Sequence, residues 1–150
     1  MIERKEYLEK LKKWKDKDLI KVITGIRRCG KSTLFDIYID YLKSIGIEDN
    51  HIISVNLENP DNEFDTYKEL YKYVKEQIKD KKQYYVFLDE VQKVSDFQKA
   101  VDGLYIMKNV DVYITGSNAY LLSGELATLL TGRYIEIKML PLSFKEYLSS

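Results

Sequence analysis

Apolar and polar positions recur along this chain with two periods, and the period switches every ten to fifteen residues or so. Residues 3–15 carry Tyr7, Leu8, Leu11 and Trp14 at helical spacing in an otherwise charged segment. This predicts an amphipathic helix lying against the domain. Leu19–Thr24 is a short apolar run ending at Gly25, the pattern of a buried strand. Residues 31–45 are apolar on most sides and predict a helix stopped by Gly46. His51–Val55 predicts the next strand, and Tyr67, Leu70, Tyr71, Val74 and Ile78 put one apolar stripe on the following helix. Tyr84–Leu88 is a strand that ends in Asp89-Glu90. Ser95 and Gln98 form a capping-box pattern opening a helix through Ala100, Val101, Leu104 and Tyr105. Val110–Thr115 is a fourth strand, followed by a helix over residues 121–130, then Gly132 and a fifth strand at Tyr134–Met139.

Strands of near-continuous hydrophobicity alternating with helices imply a parallel sheet covered on both faces. The predicted fold is therefore a three-layer α/β domain with five strands. Past the last strand, Ser143 and Glu146 form another capping box, with Leu142 and Tyr147 at staple spacing. A helix signalled this well predicts several further turns, so residues 1–150 are expected to be the N-terminal piece of a longer chain.

Composition narrows the classes of function. Lys plus Arg and Asp plus Glu each number 24, a balance that gives no support for gripping nucleic acid over the whole surface. The 13 tyrosines are read as core packing rather than a functional stripe. One cysteine, Cys29, excludes an intrachain disulfide. One histidine, His51, leaves neither a zinc site of usual spacing nor a Ser-His-Asp set. No apolar run approaches the ~20 residues that span a bilayer, and the expected compartment is a reducing cytoplasm.

Three strand ends carry the candidate chemistry. Gly25-x-x-x-x-Gly30-Lys31-Ser32 matches the phosphate-loop pattern, with a strand before it and a helix after it. Glycine at both ends lets backbone N–H groups wrap a polyphosphate, and the helix N-terminus adds unpaired donors and partial positive charge. Lys31 suits the β- and γ-phosphates and the Ser32 hydroxyl suits Mg²⁺. At the end of the next-but-one strand, Asp89 suits Mg²⁺, a hard ion that takes oxygen ligands, and Glu90 suits the polarisation of an attacking water. Thr115, Ser117 and Asn118 end the fourth strand, where they could hold that water, touch the γ-phosphate or simply cap a helix. Arg133, after Gly132, could supply charge to the γ-phosphate or lie on the surface. Arg27 and Arg28 sit at variable loop positions. Cys29, close to Lys31 and a helix N-terminus, is expected to be a thiol that nucleotide protects. No Asn/Thr-Lys-x-Asp segment for guanine is present, so ATP is preferred over GTP.

With those residues in place, the chain resembles the AAA-like P-loop ATPases of prokaryotes, in particular ATP-binding proteins whose N-terminal ATPase domain precedes a second domain of nuclease-like or other role. The matching stretches are Val22–Thr33, Phe87–Gln92, Ile114–Asn118, and Leu130–Arg133 through Pro141–Tyr147. The resemblance implies a sheet of order 5-1-4-3-2. It implies that Gly25, Arg28, Cys29, Gly30, Lys31, Ser32 and Thr33 contact nucleotide, with Ser32 and Asp89 at Mg²⁺. It makes Glu90 the base and the Thr115–Asn118 turn a γ-phosphate sensor, and it matches Arg133 to a Gly-Arg segment; Glu90, Lys31 and Arg133 are the candidate catalytic residues. A helical lid and second domain are expected beyond residue 150. The implied partners are ATP or ADP and either further copies of the chain or an effector protein. The function expected is ATP hydrolysis coupled to that effector; the alternative is a nucleotide switch with little or no turnover. A small-molecule kinase on the same scaffold is disfavoured, because Asp89-Glu90 argues for water as acceptor.

Overall fold

The structure, a computed structural model, describes residues 5–26, 30–117, 130 and 133–140. Five strands form one parallel sheet in the order β2-β3-β4-β1-β5, which is the expected 5-1-4-3-2. They are β1 (Ile20–Gly25), β2 (Ile52–Asn56), β3 (Tyr84–Asp89), β4 (Val110–Ser117) and β5 (Tyr134–Lys138). Among the described residues the α-helices are α1 (Lys5–Trp14), α2 (Lys31–Ser44), α3 (Tyr67–Lys75) and α4 (Phe97–Ile106).

The pleat divides each central strand between two cores. Ile20 and Val22, Val86 and Leu88, and Val112 and Ile114 face one side, where Leu70 and Val74 of α3 and Ala100, Val101 and Leu104 of α4 cover them. Ile23, Tyr85, Phe87 and Tyr113 face the other, against Tyr7 and Leu11 of α1 and Leu34, Phe35, Tyr38 and Leu42 of α2. Because both faces are covered, β1, β3 and β4 are buried at every position, whereas the edge strand β2 alternates. This is the physical origin of their unbroken apolar runs.

The tyrosines are part of this core. Tyr38, Tyr84, Tyr85 and Tyr113 are among its largest fully buried side chains. Each hydroxyl has a partner: Tyr38 with Tyr113, Tyr85 with Asp16, Tyr113 with Asp111, and Tyr84 with the Lys79 N–H. Phe87 stacks on Tyr113 with ring centroids 4.8 Å apart.

The stop after α2 is a Schellman turn. Gly46, at φ 99°, lets the Ile47 N–H reach the Leu42 carbonyl at 3.0 Å and its own N–H reach Lys43 at 3.1 Å. Two caps differ from the sequence pattern. The Ser95–Gln98 box does not form; Asp96, at φ 57°, caps α4 without a side-chain bond. A reciprocal box forms instead at Thr66 and Glu69, opening α3. Of the helix expected over residues 121–130 only Leu130 is among the described residues, and the helix expected after Pro141 lies outside them.

Candidate functional site

Parallel pairing brings the carboxyl ends of β1, β3 and β4 to one sheet edge, where ligands bind in open α/β sheets. Gly25 pairs with Ser117, and Leu88 with Ile114, so Asp89 leaves the sheet beside Thr115. Gly30 is the residue before α2, held at φ 99° in a conformation that L side chains rarely adopt. Among the described residues no side chain caps α2, and its first turn carries no acidic residue. The first-turn N–H groups of this 14-residue helix therefore face the loop with no side chain of the N-cap residue to accept from them.

Lys31 begins α2 with its side chain buried. Its ammonium donates to the carbonyls of Gly25 and Ile26, each at 3.1 Å, and stands 3.8 Å from Glu90 Oε2. Ser32 and Thr33 follow in the first turn and are exposed. The Ser32 hydroxyl donates to Asp89 Oδ2, and the Thr115 hydroxyl donates to Asp89 Oδ1. Thr115 Oγ1 in turn accepts the Glu90 N–H at 2.9 Å. Thr115 is thus engaged in both directions with the two acidic residues.

Glu90 is in the left-handed region at φ 60°. There the chain leaves β3 for a 3-10 turn over Val91–Lys93. Gln92 of that turn donates from Nε2 to Glu90 Oε1 at 2.7 Å. The other end of the same amide, Gln92 Oε1, is buried and has no hydrogen-bond partner among the described residues. A buried acceptor left without a donor costs roughly 1–3 kcal/mol. The sequence placed Gln92 inside a matching stretch but gave it no role, because its contact depends on the turn that Glu90 makes.

Two further contacts support the loop. Met139, 1 % exposed, places its Cε near Gly30, 3.7 Å from where a Cβ there would lie, and its N–H bonds the Thr24 carbonyl at 2.7 Å. The Leu140 N–H reaches the Tyr7 hydroxyl at 3.1 Å, so the exit of β5 joins the loop to α1.

Arg133 lies away from the loop. Of the two readings open to it, charge for the γ-phosphate or a place on the surface, its backbone fits the second for this site: its carbonyl accepts the Ile20 N–H at 2.9 Å, at the opposite end of β1 from Gly25. Five strand steps at ~3.3 Å put it about 17 Å from the loop. Parallel pairing dictates this, since β5 must begin where β1 begins. The exposed guanidinium lies over the Tyr105 ring of α4, 5.3 Å from its centroid. Arg27, Arg28, Cys29, Asn118 and Gly132 lie outside the described residues.

The hydroxyl of Ser32 and the carboxylate of Asp89 meet at one point and are hard oxygen donors. Mg²⁺ usually takes one or two such protein ligands beside phosphate and water, so this pair fits it. Among the described residues no three His, Cys, Asp or Glu side chains form a metal cluster, and no helix is long and apolar enough to cross a membrane.

A phosphate loop on a central strand, two acidic residues two strands over in the sheet and a 5-1-4-3-2 order define a P-loop ATPase-like domain. The AAA domain family matches residues 17–148, and the chain belongs to that family. An uncharacterized protein of Haemophilus influenzae is 47% identical over 150 residues, covering 99% of this chain and 38% of its own length. Another, MJ1544 of Methanocaldococcus jannaschii, is 37% identical over 134 residues, covering 86% and 28%. The chain thus spans well under half the length of both relatives. In fold it is similar to Hsp104, solved with ATPγS and FITC-casein, at TM-score 0.66 and 14% identity, covering 99% of this chain and 28% of that one.

Proposed function

We propose that this domain binds Mg²⁺–ATP and hydrolyses it to ADP and phosphate, passing its nucleotide state to an attached or partner effector. The observation that carries the reading is the convergence of Lys31, Ser32, Asp89 and Glu90 at one sheet edge, with Thr115 bonded to both carboxyl-bearing residues. In this reading the N-terminus of α2, which begins after a glycine, and the loop N–H groups hold the phosphates. Lys31 leaves the Gly25 and Ile26 carbonyls for the β- and γ-phosphate oxygens, a charge-assisted exchange. Ser32 and Asp89 would hold Mg²⁺, which supplies charge neutralisation to the phosphate oxygens. As Lys31 turns to the phosphates, Glu90 Oε2 becomes free to accept the proton of the attacking water. The water oxygen bonds the γ-phosphorus, the bond from that phosphorus to the bridging oxygen breaks, and ADP leaves with the electron pair.

The test is calorimetric titration of ATP with and without Mg²⁺, alongside steady-state phosphate release from the intact protein. Lys31→Ala should weaken ATP binding by about tenfold or more, since it deletes a charge-assisted contact of roughly 1.5–3 kcal/mol. Equal affinity in wild type and variant would refute the phosphate-loop assignment. Binding without phosphate release would favour the switch.

A further inference from the structure

We infer that Gln92 is a positioning residue for Glu90, its side-chain amide fixing one carboxylate oxygen so that the other serves as the base. The catalytic half of this inference rests on the hydrolytic reading above; the contact itself rests on geometry alone.

Glu90 is tied at its backbone, where the N–H meets Thr115. That bond does not fix the carboxylate, which has its own side-chain torsions to settle. Gln92 supplies the restraint. The 3-10 turn is closed by Lys93 N–H to Glu90 O at 3.1 Å and Val94 N–H to Val91 O at 3.0 Å. Val91 and Val94 are both buried, at 0 % and 3 %, and pin the turn to the core. Gln92 is therefore held two residues from Glu90, with Nε2 at 2.7 Å from Oε1. The carboxylate decides which end of the amide faces it, because two acceptors would repel.

The orphaned Gln92 Oε1 argues against simple space-filling. An apolar side chain of similar length would occupy the turn without burying an unpaired acceptor. The glutamine is accounted for by its donor. The two oxygens of Glu90 then have different duties: Oε1 is spent on Gln92, and Oε2, 3.8 Å from Lys31, is the one left for the proton of water. Both residues belong to a single short turn, so the restraint is independent of where Lys31 points.

Three variants in the intact protein separate donor from bulk. Gln92→Met keeps the length and removes the donor, Gln92→Ala removes both, and Gln92→Glu keeps the shape but sets a second carboxylate against Glu90. All three are expected to lower kcat by about ten- to a hundredfold, the scale of a misplaced reacting group. KM and the calorimetric Kd for Mg²⁺–ATP are expected to stay within about twofold, the signature of an interaction that matters to the reaction and not to binding. Unchanged or higher kcat in Gln92→Met overturns the inference, and so does a loss confined to KM. The contact has its own readout that needs no turnover. The side-chain N–H resonance of Gln92, assigned by its loss in Gln92→Ala, should be displaced downfield and return to the free-amide position in Glu90→Ala. A resonance indifferent to Glu90→Ala overturns the contact. A wild type that binds Mg²⁺–ATP and releases no phosphate sinks the hydrolytic reading instead, and the amide resonance still decides Gln92.

Discussion

Lys21 Nζ lies 2.5 Å from Asp111 Oδ1 inside the sheet, and neither side chain is more than 3% exposed. The pair sits at the amino ends of β1 and β4, the far edge from the phosphate loop. Burial pushes Asp111 up from the ordinary carboxylate range and Lys21 down from the ordinary amine range, while each partner opposes the shift of the other. Further hydrogen bonds surround the pair. Asp111 accepts from the Asp16 N–H at 2.9 Å and the Tyr113 hydroxyl at 2.7 Å, and Lys21 donates to the Lys17 carbonyl at 2.6 Å. The network binds the α1–β1 connection to the base of the sheet.

Breaking this pair from one side should be costly and replacing it whole should not be. Asp111→Leu leaves a buried ammonium without its carboxylate and should lose about 3–5 kcal/mol in urea unfolding. Lys21→Met should lose a comparable amount. The double variant should be more stable than either single one, since no charge is stranded. Losses that simply add would show that the two side chains act independently.

Thr115→Val should separate the hydroxyl from its methyl. The variant strands the buried Glu90 N–H and should lose roughly 1–3 kcal/mol of stability. It also frees Asp89 and Glu90 from their common anchor, so Mg²⁺-dependent ATP affinity should fall while metal-free affinity holds. Thr115→Ser keeps the hydroxyl and should retain most of both. A valine variant with wild-type unfolding and wild-type Mg²⁺ dependence would leave Thr115 as packing alone.

The two acidic neighbours should separate by phenotype. Glu90→Gln keeps shape and loses the base, so Mg²⁺–ATP should bind nearly as before while phosphate release stops. Asp89→Asn should lower affinity only when Mg²⁺ is present, because it weakens an oxygen donor at the ion. Calorimetry with and without Mg²⁺, beside phosphate release, reads both. The opposite pattern would exchange their roles.

What could be read in the chain was what depends on near neighbours or on burial. The phosphate loop is eight consecutive residues, and the buried strands announced themselves because both sheet faces are covered. The cap at Ser95 and Gln98 was legible as a pattern and still does not form, since the chain turns through Asp96 in a left-handed conformation that no spacing signals. Gln92 was visible only as part of a matching stretch, as its function needs the same kind of turn at Glu90. Lys21 and Asp111 are 90 positions apart and looked like ordinary charges interrupting two strands. Arg133 was placed by its neighbourhood to Gly132, whereas strand direction decides which sheet edge it occupies.

Arg133 gives the last prediction, because its position excludes one role and sharpens another. Its backbone lies about 17 Å from its own loop by strand length, and its guanidinium is turned to Tyr105, away from the phosphate held there. Two roles remain: anchoring α4 through Tyr105, or reaching the site of a neighbouring copy. The anchoring role predicts that Arg133→Ala loses stability through the lost cation–aromatic contact, by about 0.5–1 kcal/mol at an exposed site. The neighbouring role predicts lower turnover with ATP affinity unchanged, since charge is supplied mainly to the transition state. The expected outcome is the second, with complementation. Intact Arg133→Ala protein has a sound loop, and intact Lys31→Ala protein has a sound arginine. Mixing the two should restore part of the phosphate release that neither shows alone, because a mixed interface pairs one of each. The measurement is phosphate release against mixing ratio, rising to a maximum between the pure samples. A flat line at the floor, with a turnover defect in Arg133→Ala, would deny the neighbouring role. Wild-type turnover in that variant, with only the unfolding midpoint shifted, would make Arg133 an anchor for α4.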